Sequence, residues 1–194
     1  KKSILIIADD GSKDGTKEYI KSIISDKIIP IFNNRVGVAA QTNTIFRKSL
    51  ELDFNYGFKA DDDIWFIKSG WEDLYMNNIL NSGYHHLCYQ NKKWTGSRRD
   101  VVIQGGLKAN ICVLKAMGCF WTYTPKCIQN VGYFDDKSFG FMGHEHIDYS
   151  IRCCRSGLNT EMNFFDSNYS DQYIDMQSRN EQYISSLRGS EKKI

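Results

Sequence analysis

The sequence predicts an α/β fold. Apolar, β-rich runs recur at SILIIA (3–8), KIIPIF (27–32), YGFKA (56–60), HHLCY (85–89) and CFWTYT (119–124), and helical patterns lie between several of them, an alternation expected of strands covered by helices. Length sets the scale: 194 residues suffice for one sizeable core and not for two comfortable domains. With two prolines, no internal repeat and no low-complexity stretch, no linker divides the chain, and a single domain over 1–194 is expected.

The helices follow in order. Tyr19, Ile20, Ile23 and Ile24 share one face, as do Trp71, Leu74, Tyr75 and Leu80. Ser69 with Glu72 three residues on has the form of a capping box for the second of these helices. A third helix is expected over much of 38–52. A fourth runs from about His144 to Arg155 and stops at Gly157. The terminal RGSEKKI reads as a solvated tail.

Composition narrows the function. Twenty-five basic against 23 acidic residues leave a formal charge of +2 and no polybasic stripe, so nucleic acid is not an expected partner. No segment is long and apolar enough to span a membrane. Six cysteines with no CxxC pairing are read most simply as a reduced, cytoplasmic compartment. Cys112, Cys119 and Cys127 lack the spacing of a zinc site and are expected to be small core residues.

Three polar clusters carry the chemistry. ADDGSKDGT (8–16) stands where a strand passes to a helix; Gly and Asp suit the turn and a side-chain oxygen caps the helix, but capping does not require Asp9 and Asp10 as well. FKADDDIWF places Asp61, Asp62 and Asp63 at a strand end. Alternation along a strand would put Asp61 and Asp63 on one face about 6 to 7 Å apart, where they repel by roughly 2 to 3 kcal/mol at an effective dielectric of 20. A divalent cation or open solvent removes that cost, and Mg²⁺ or Mn²⁺ bridging to phosphates suits such oxygens; a solvated acidic turn is the plain alternative. In the third cluster, GHEHIDYSIRCCRSG, Glu145 and His146 open a helix after the glycine-flanked FGFMG, a place for a general base or an ordinary capping Glu. Asp148 and Arg152 have the spacing of an ion pair. Trp94, Trp121 and Tyr123 could stack on a sugar but more simply fill the core, and Arg98 and Arg99 read as surface charge.

In this order the clusters resemble family 2 glycosyltransferases with the GT-A fold. IIADDGSKDGT looks like the family's DDGSxDGT; NNRVGVAAQTN resembles its next segment. FKADDDI falls where it has the DxD motif, GCFWTYTPKCIQNVGYFDD resembles the stretch before the catalytic loop, and GHEHIDYSIRCCRSG resembles ExxDxxxR. The resemblance runs from about residue 3 to 158. It implies a Rossmann-like domain with a central mixed, mostly parallel sheet flanked by helices, in which 1–110 bind the nucleotide-sugar, 111–175 form the acceptor and catalytic part, and 176–194 are a tail. It implies that Asp9 accepts from a uracil N–H with Asp10 alongside. It implies also that Asp61 and Asp63 hold Mn²⁺ or Mg²⁺ on the diphosphate of a UDP-sugar, Asp62 being open as a replacement for either. One of Glu145, His146 and Asp148 would take the proton of a glycan, lipid or protein hydroxyl as the sugar transfers with inversion.

The chain departs from the family pattern twice. It starts after the usual first strand and helix, so the expectation is either a piece of a longer polypeptide with further domains or an incomplete site, with ILII near an unpaired edge or beside a gap that upstream sequence normally fills. His146 stands where the family more often has Asp. A nucleotidyltransferase on a related fold and a non-catalytic sugar-nucleotide-binding domain are the rival readings.

Overall fold

The computed structural model describes residues 3–91, 101–110, 118–141, 143–159 and 164–176. Trp94, Arg98, Arg99, Cys112 and the tail lie outside them. The chain opens with strand β1 (Leu5–Asp9), helix α1 (Thr16–Ser22), β2 (Ile28–Phe32), α2 (Val38–Glu51), β3 (Gly57–Ala60), β4 (Ile64–Phe66) and α3 (Trp71–Ser82). It continues with β5 (Val101–Gln104), β6 (Leu107–Asn110), β7 (Phe120–Tyr123), α4 (Pro125–Val131), α5 (Glu145–Arg155), β8 (Phe164–Ser167), a 3₁₀ turn and β9 (Ile174–Met176). The α/β class expected from the alternation is the one found.

The expected mostly parallel central sheet is present only in part. β1 and β2 run parallel through the crossover helix α1, with Leu5 opposite Ile28. The other described pairings, β3 with β7, β4 with β9, and β5–β6–β8, are antiparallel. Local turn chemistry imposes one of them: Gly105 and Gly106 both adopt positive φ in the two-residue connection from β5 to β6, which closes a hairpin and cannot serve a parallel pair.

HHLCY forms no regular strand, a departure with a visible cause. Cys88 bridges to Trp121, Tyr89 N–H donates to the Phe120 carbonyl and Cys88 N–H to that of Phe165, so the segment lies between β7 and β8. Side chains replace part of the ladder: Thr122 Oγ1 accepts from Leu87 N–H, and Asn159 takes both polar groups of the His86 backbone.

The core lies on both faces of this arrangement. Leu87, Tyr89 and Phe120 pack with Tyr75 and Ile79 of α3; Cys88, Trp121 and Tyr123 pack with Phe46 of α2, Ile128 of α4, and Tyr149 and Cys153 of α5. Every residue of β7 is buried, as expected of a strand covered by helices on both sides. Trp121 and Tyr123 therefore belong to the core, and Cys119 and Cys127 are buried thiols, as their composition suggested. Burying a ring such as Phe46 contributes about 1.5 to 3 kcal/mol.

Two helical details differ from the sequence pattern. Tyr19, Ile24 and Leu80 are exposed, leaving Ile20 in α1 and Tyr75 with Ile79 in α3 as the buried contacts. Ser69 does not cap α3: Gly70 takes the N-cap position at φ 86° with no side-chain cap, so Glu72 sits one position too early for the box. The end of α5 is as expected. Gly157 has φ 77°, its N–H donates to Cys154, and Leu158 N–H donates to Cys153, the paired bonds of a Schellman stop.

Candidate active site

The first cluster is built into the end of β1. Asp9 is buried, and its carboxylate accepts from Gly11 and Ser12 N–H, each at 3.3 Å. Asp10 reaches across to the start of α2, accepting from Val36 N–H at 2.8 Å and Gly37 N–H at 2.9 Å. Asp14 accepts from the backbone and hydroxyl of Thr16, one residue ahead of Gly15, which holds the N-cap position without a side-chain cap. The three aspartates thus do three things: Asp9 folds its own turn, Asp10 ties β1 to the turn before α2, and Asp14 holds the first residue of α1.

The second cluster departs from strand alternation. β3 ends at Ala60 and Asp61–Asp63 make the turn into β4, with Ile64 N–H donating to the Asp61 carbonyl at 3.4 Å. Asp61 and Asp63 are half-buried all the same, and Asp62 faces solvent. Burial raises the Asp63 carboxyl above its ordinary value, with Asp61 and Asp62 pushing the same way and Lys59 opposing them. Lys59 Nζ donates to Asp61 and to the Gly118 carbonyl at 2.8 Å.

The third cluster opens α5. Glu145 is buried; one carboxylate oxygen accepts from Gly143 N–H at 2.8 Å and the other lies 3.5 Å from His146 Nδ1. Burial alone would raise its pKa, but the hydrogen bonds from His146, its own N–H and Gly143 outweigh that and hold the carboxyl below its ordinary value. Asp148 is engaged by Arg152 Nε at 2.8 Å, and the same guanidinium donates to the Val131 carbonyl. The pair fixes α5 to the end of α4, which is the structural role its spacing suggested.

Contacts at two glycines draw the clusters together. A Cβ on Gly37 would stand 2.7 Å from the Phe141 carbonyl oxygen, and Val38 N–H donates to that oxygen, so the loop before α5 rests on the turn that Asp10 holds. Gly118, whose carbonyl binds Lys59, lies against the His146 ring. Asn43 adds a third tie: its amide exchanges hydrogen bonds with the Phe134 backbone and reaches Asp136. Sequence patterns do not mark Lys59, Gly118 or the clamp made by Asn43; a lysine two places before Asp61 in a strand was the available signal for the first.

The oxygen-only donor set of the acidic turn fits a hard divalent cation shared with a diphosphate, which asks for only one or two protein carboxylates. Among the described residues no group of three or more His, Cys, Asp and Glu is arranged to hold an ion by itself. No helix among them is long and apolar enough to cross a membrane.

The α/β frame agrees with what sequence comparison finds. Residues 3–101 match Glycosyl transferase family 2, and the chain belongs to that family. Among its relatives, "Uncharacterized glycosyltransferase R363" of Acanthamoeba polyphaga mimivirus is 30% identical over 176 residues, 88% of this chain; the chain spans 66% of that relative's length. The crystal structure of A197 from STIV is similar over 92% of this chain and 95% of that one, at 15% identity and a TM-score of 0.48.

Proposed function

We propose that the chain transfers a sugar from a UDP-sugar to a glycan, lipid or protein hydroxyl with inversion. The observation that supports this reading is the meeting of the three clusters: Asp10 holds the turn on which the Phe141 loop rests, and Lys59 joins Asp61 to Gly118, against which His146 packs. Family membership supports glycosyl transfer in general.

In this reading Asp9 would accept from uracil N3–H. Asp61 and Asp63, with Asp62 as the exposed alternative, would hold Mg²⁺ or Mn²⁺, whose charge offsets that of the departing diphosphate. Glu145 receives the proton of the attacking hydroxyl. Its carboxyl is held below the ordinary value, so it is ionised at neutral pH as a general base must be, and Gly143 N–H fixes one of its oxygens. His146 is the second candidate and Asp148 the third, being engaged with Arg152.

Release of free UDP from a panel of UDP-sugars, with and without Mn²⁺, tests the reading. Cation-dependent UDP release with a product of inverted anomeric configuration by NMR supports it. Pyrophosphate-dependent formation of UTP and sugar 1-phosphate from the UDP-sugar would indicate a nucleotidyltransferase, and binding without turnover a non-catalytic domain.

A further inference from the structure

We propose that Lys59 is a built-in counter-ion of the acidic turn, competing with a divalent cation for the Asp61 carboxylate so that the cation binds well only together with a diphosphate. The inference rests on the reading of Asp61 as a cation ligand and goes beyond it.

The geometry sets Lys59 apart from an ordinary surface lysine. Its side chain is 9% exposed while that of Asp61 is 40% exposed. A covered ammonium persists only if its N–H groups are taken up, and its partners are the Asp61 carboxylate and the Gly118 carbonyl. These two partners differ in kind. The bond to Gly118 joins β3 to the segment just before β7 and is independent of any ligand, whereas the bond to Asp61 is made to a carboxylate that solvent can reach. A cation arriving from solvent therefore meets a carboxylate already holding a positive charge that cannot withdraw into water.

The three adjacent aspartates explain why such a charge is useful. Asp61, Asp62 and Asp63 repel one another, and Lys59 opposes that repulsion from within the protein. A dication at Asp61 must share the carboxylate with the ammonium or displace it, and like charges at that range disfavour both. The two negative charges of a diphosphate reverse the balance, because they supply the cation with further ligands and leave Lys59 anchored on Gly118. Cation and nucleotide then bind as a unit, each strengthening the other by the same factor.

Mn²⁺ binding, read from the free-ion electron paramagnetic resonance signal with and without UDP, tests this in wild type, Lys59→Met and Lys59→Arg. Lys59→Met is expected to bind Mn²⁺ alone at least ten-fold more tightly than wild type and to gain less from UDP; Lys59→Arg, which keeps the charge, should behave as wild type. Equal or weaker Mn²⁺ binding by a folded Lys59→Met, with wild type binding Mn²⁺ in the presence of UDP, overturns the counter-ion role and leaves Asp61 as a ligand. Absence of Mn²⁺ binding in all three, with and without UDP, overturns both. Should Lys59→Met fail to fold by circular dichroism, Mg²⁺ titration of wild type with UDP decides: a shift of the Lys59 ¹⁵Nζ resonance supports displacement, and an unmoved resonance overturns it.

Discussion

Gly118 and His146 meet so closely that a Cβ on Gly118 would stand 2.8 Å from the imidazole Cγ and 3.0 Å from Nδ1. The ring has no room to retain its place beside a larger residue, and its Nδ1 is the atom facing Glu145. Gly118→Ala is therefore expected to cost about 1 to 3 kcal/mol by overpacking and to lower kcat more than donor affinity. Urea unfolding and steady-state kinetics on the same variant check both; unchanged kcat would mean that the ring moves without consequence.

Glu145→Gln removes the proposed base while keeping an acceptor for Gly143 N–H. Turnover is expected to fall by about 10²- to 10⁴-fold with UDP affinity retained. Its depressed folded pKa means that the native state binds the proton less readily than the unfolded chain, so the carboxylate stabilises the fold above its ordinary value of 4.5 and that contribution is lost as pH falls through the lower, folded value. The stability difference between wild type and variant should accordingly be present at neutral pH and vanish in acid. If instead the acidic limb of the pH–rate profile disappears only in His146→Asn, the role passes to His146.

Much of this frame was legible from periodicity. β1, β2, β3, β7 and the helices α2, α3 and α5 fall within about two residues of their patterns, because each buries a local stripe or ends at a glycine. What the patterns miss is non-local. FFDS (164–167) becomes β8 only because β6 lies beside it, and the order Cys88 against Phe165 is invisible in a window of ten residues. The adjacent glycines that close the β5–β6 hairpin are a signal that the strand and helix periodicities do not use. In the site, residue identities were readable as three acidic clusters, whereas their occupants were not: that Asp10 holds Val36 and Gly37, that Lys59 holds Asp61, and that Asn43 clamps Phe134 follow from tertiary contact.

The Asp10 clamp makes a separate prediction. Asp10→Ala leaves the N–H of buried Gly37 without its acceptor at 2.9 Å, at a cost of about 1 to 3 kcal/mol, and loosens the turn that carries Phe141. Hydrogen exchange at Val38, whose N–H donates to the Phe141 carbonyl at 3.0 Å, should quicken relative to the β1–β2 amides. Asp9→Asn is expected to do the reverse, weakening UDP binding while leaving stability nearly intact, since an amide oxygen still accepts from the Gly11–Ser12 turn. A stability loss in Asp9→Asn with affinity per folded molecule unchanged would make Asp9 a turn residue only.

The last prediction concerns acid stability and the buried His86. Its Nδ1 faces the Thr122 carbonyl at 2.9 Å, which can only accept, so Nδ1 carries the proton. Its Nε2 lies 2.8 Å from Ser150 Oγ and accepts from that hydroxyl, with Cys88 Sγ at 3.3 Å and the rings of Trp121 and Tyr149 around it. The neutral imidazole is thus fully satisfied. A second proton would force the Ser150 hydroxyl to turn from donor to acceptor and place a charge in the core, and burial accordingly lowers the pKa to about 4, with His146 adding to the effect and the Thr122 bond opposing it. Between the ordinary 6.5 and about 4 the unfolded chain takes up the proton and the folded chain does not, so stability is full above that interval and declines as pH falls through it, by roughly 3 kcal/mol at most. His86→Gln can offer the same donor and acceptor without titrating. Urea unfolding of both proteins at several pH values from 7 to 4 should show the wild-type advantage shrinking toward acid. An advantage that stays constant over that range would mean that His86 does not remain neutral in the fold.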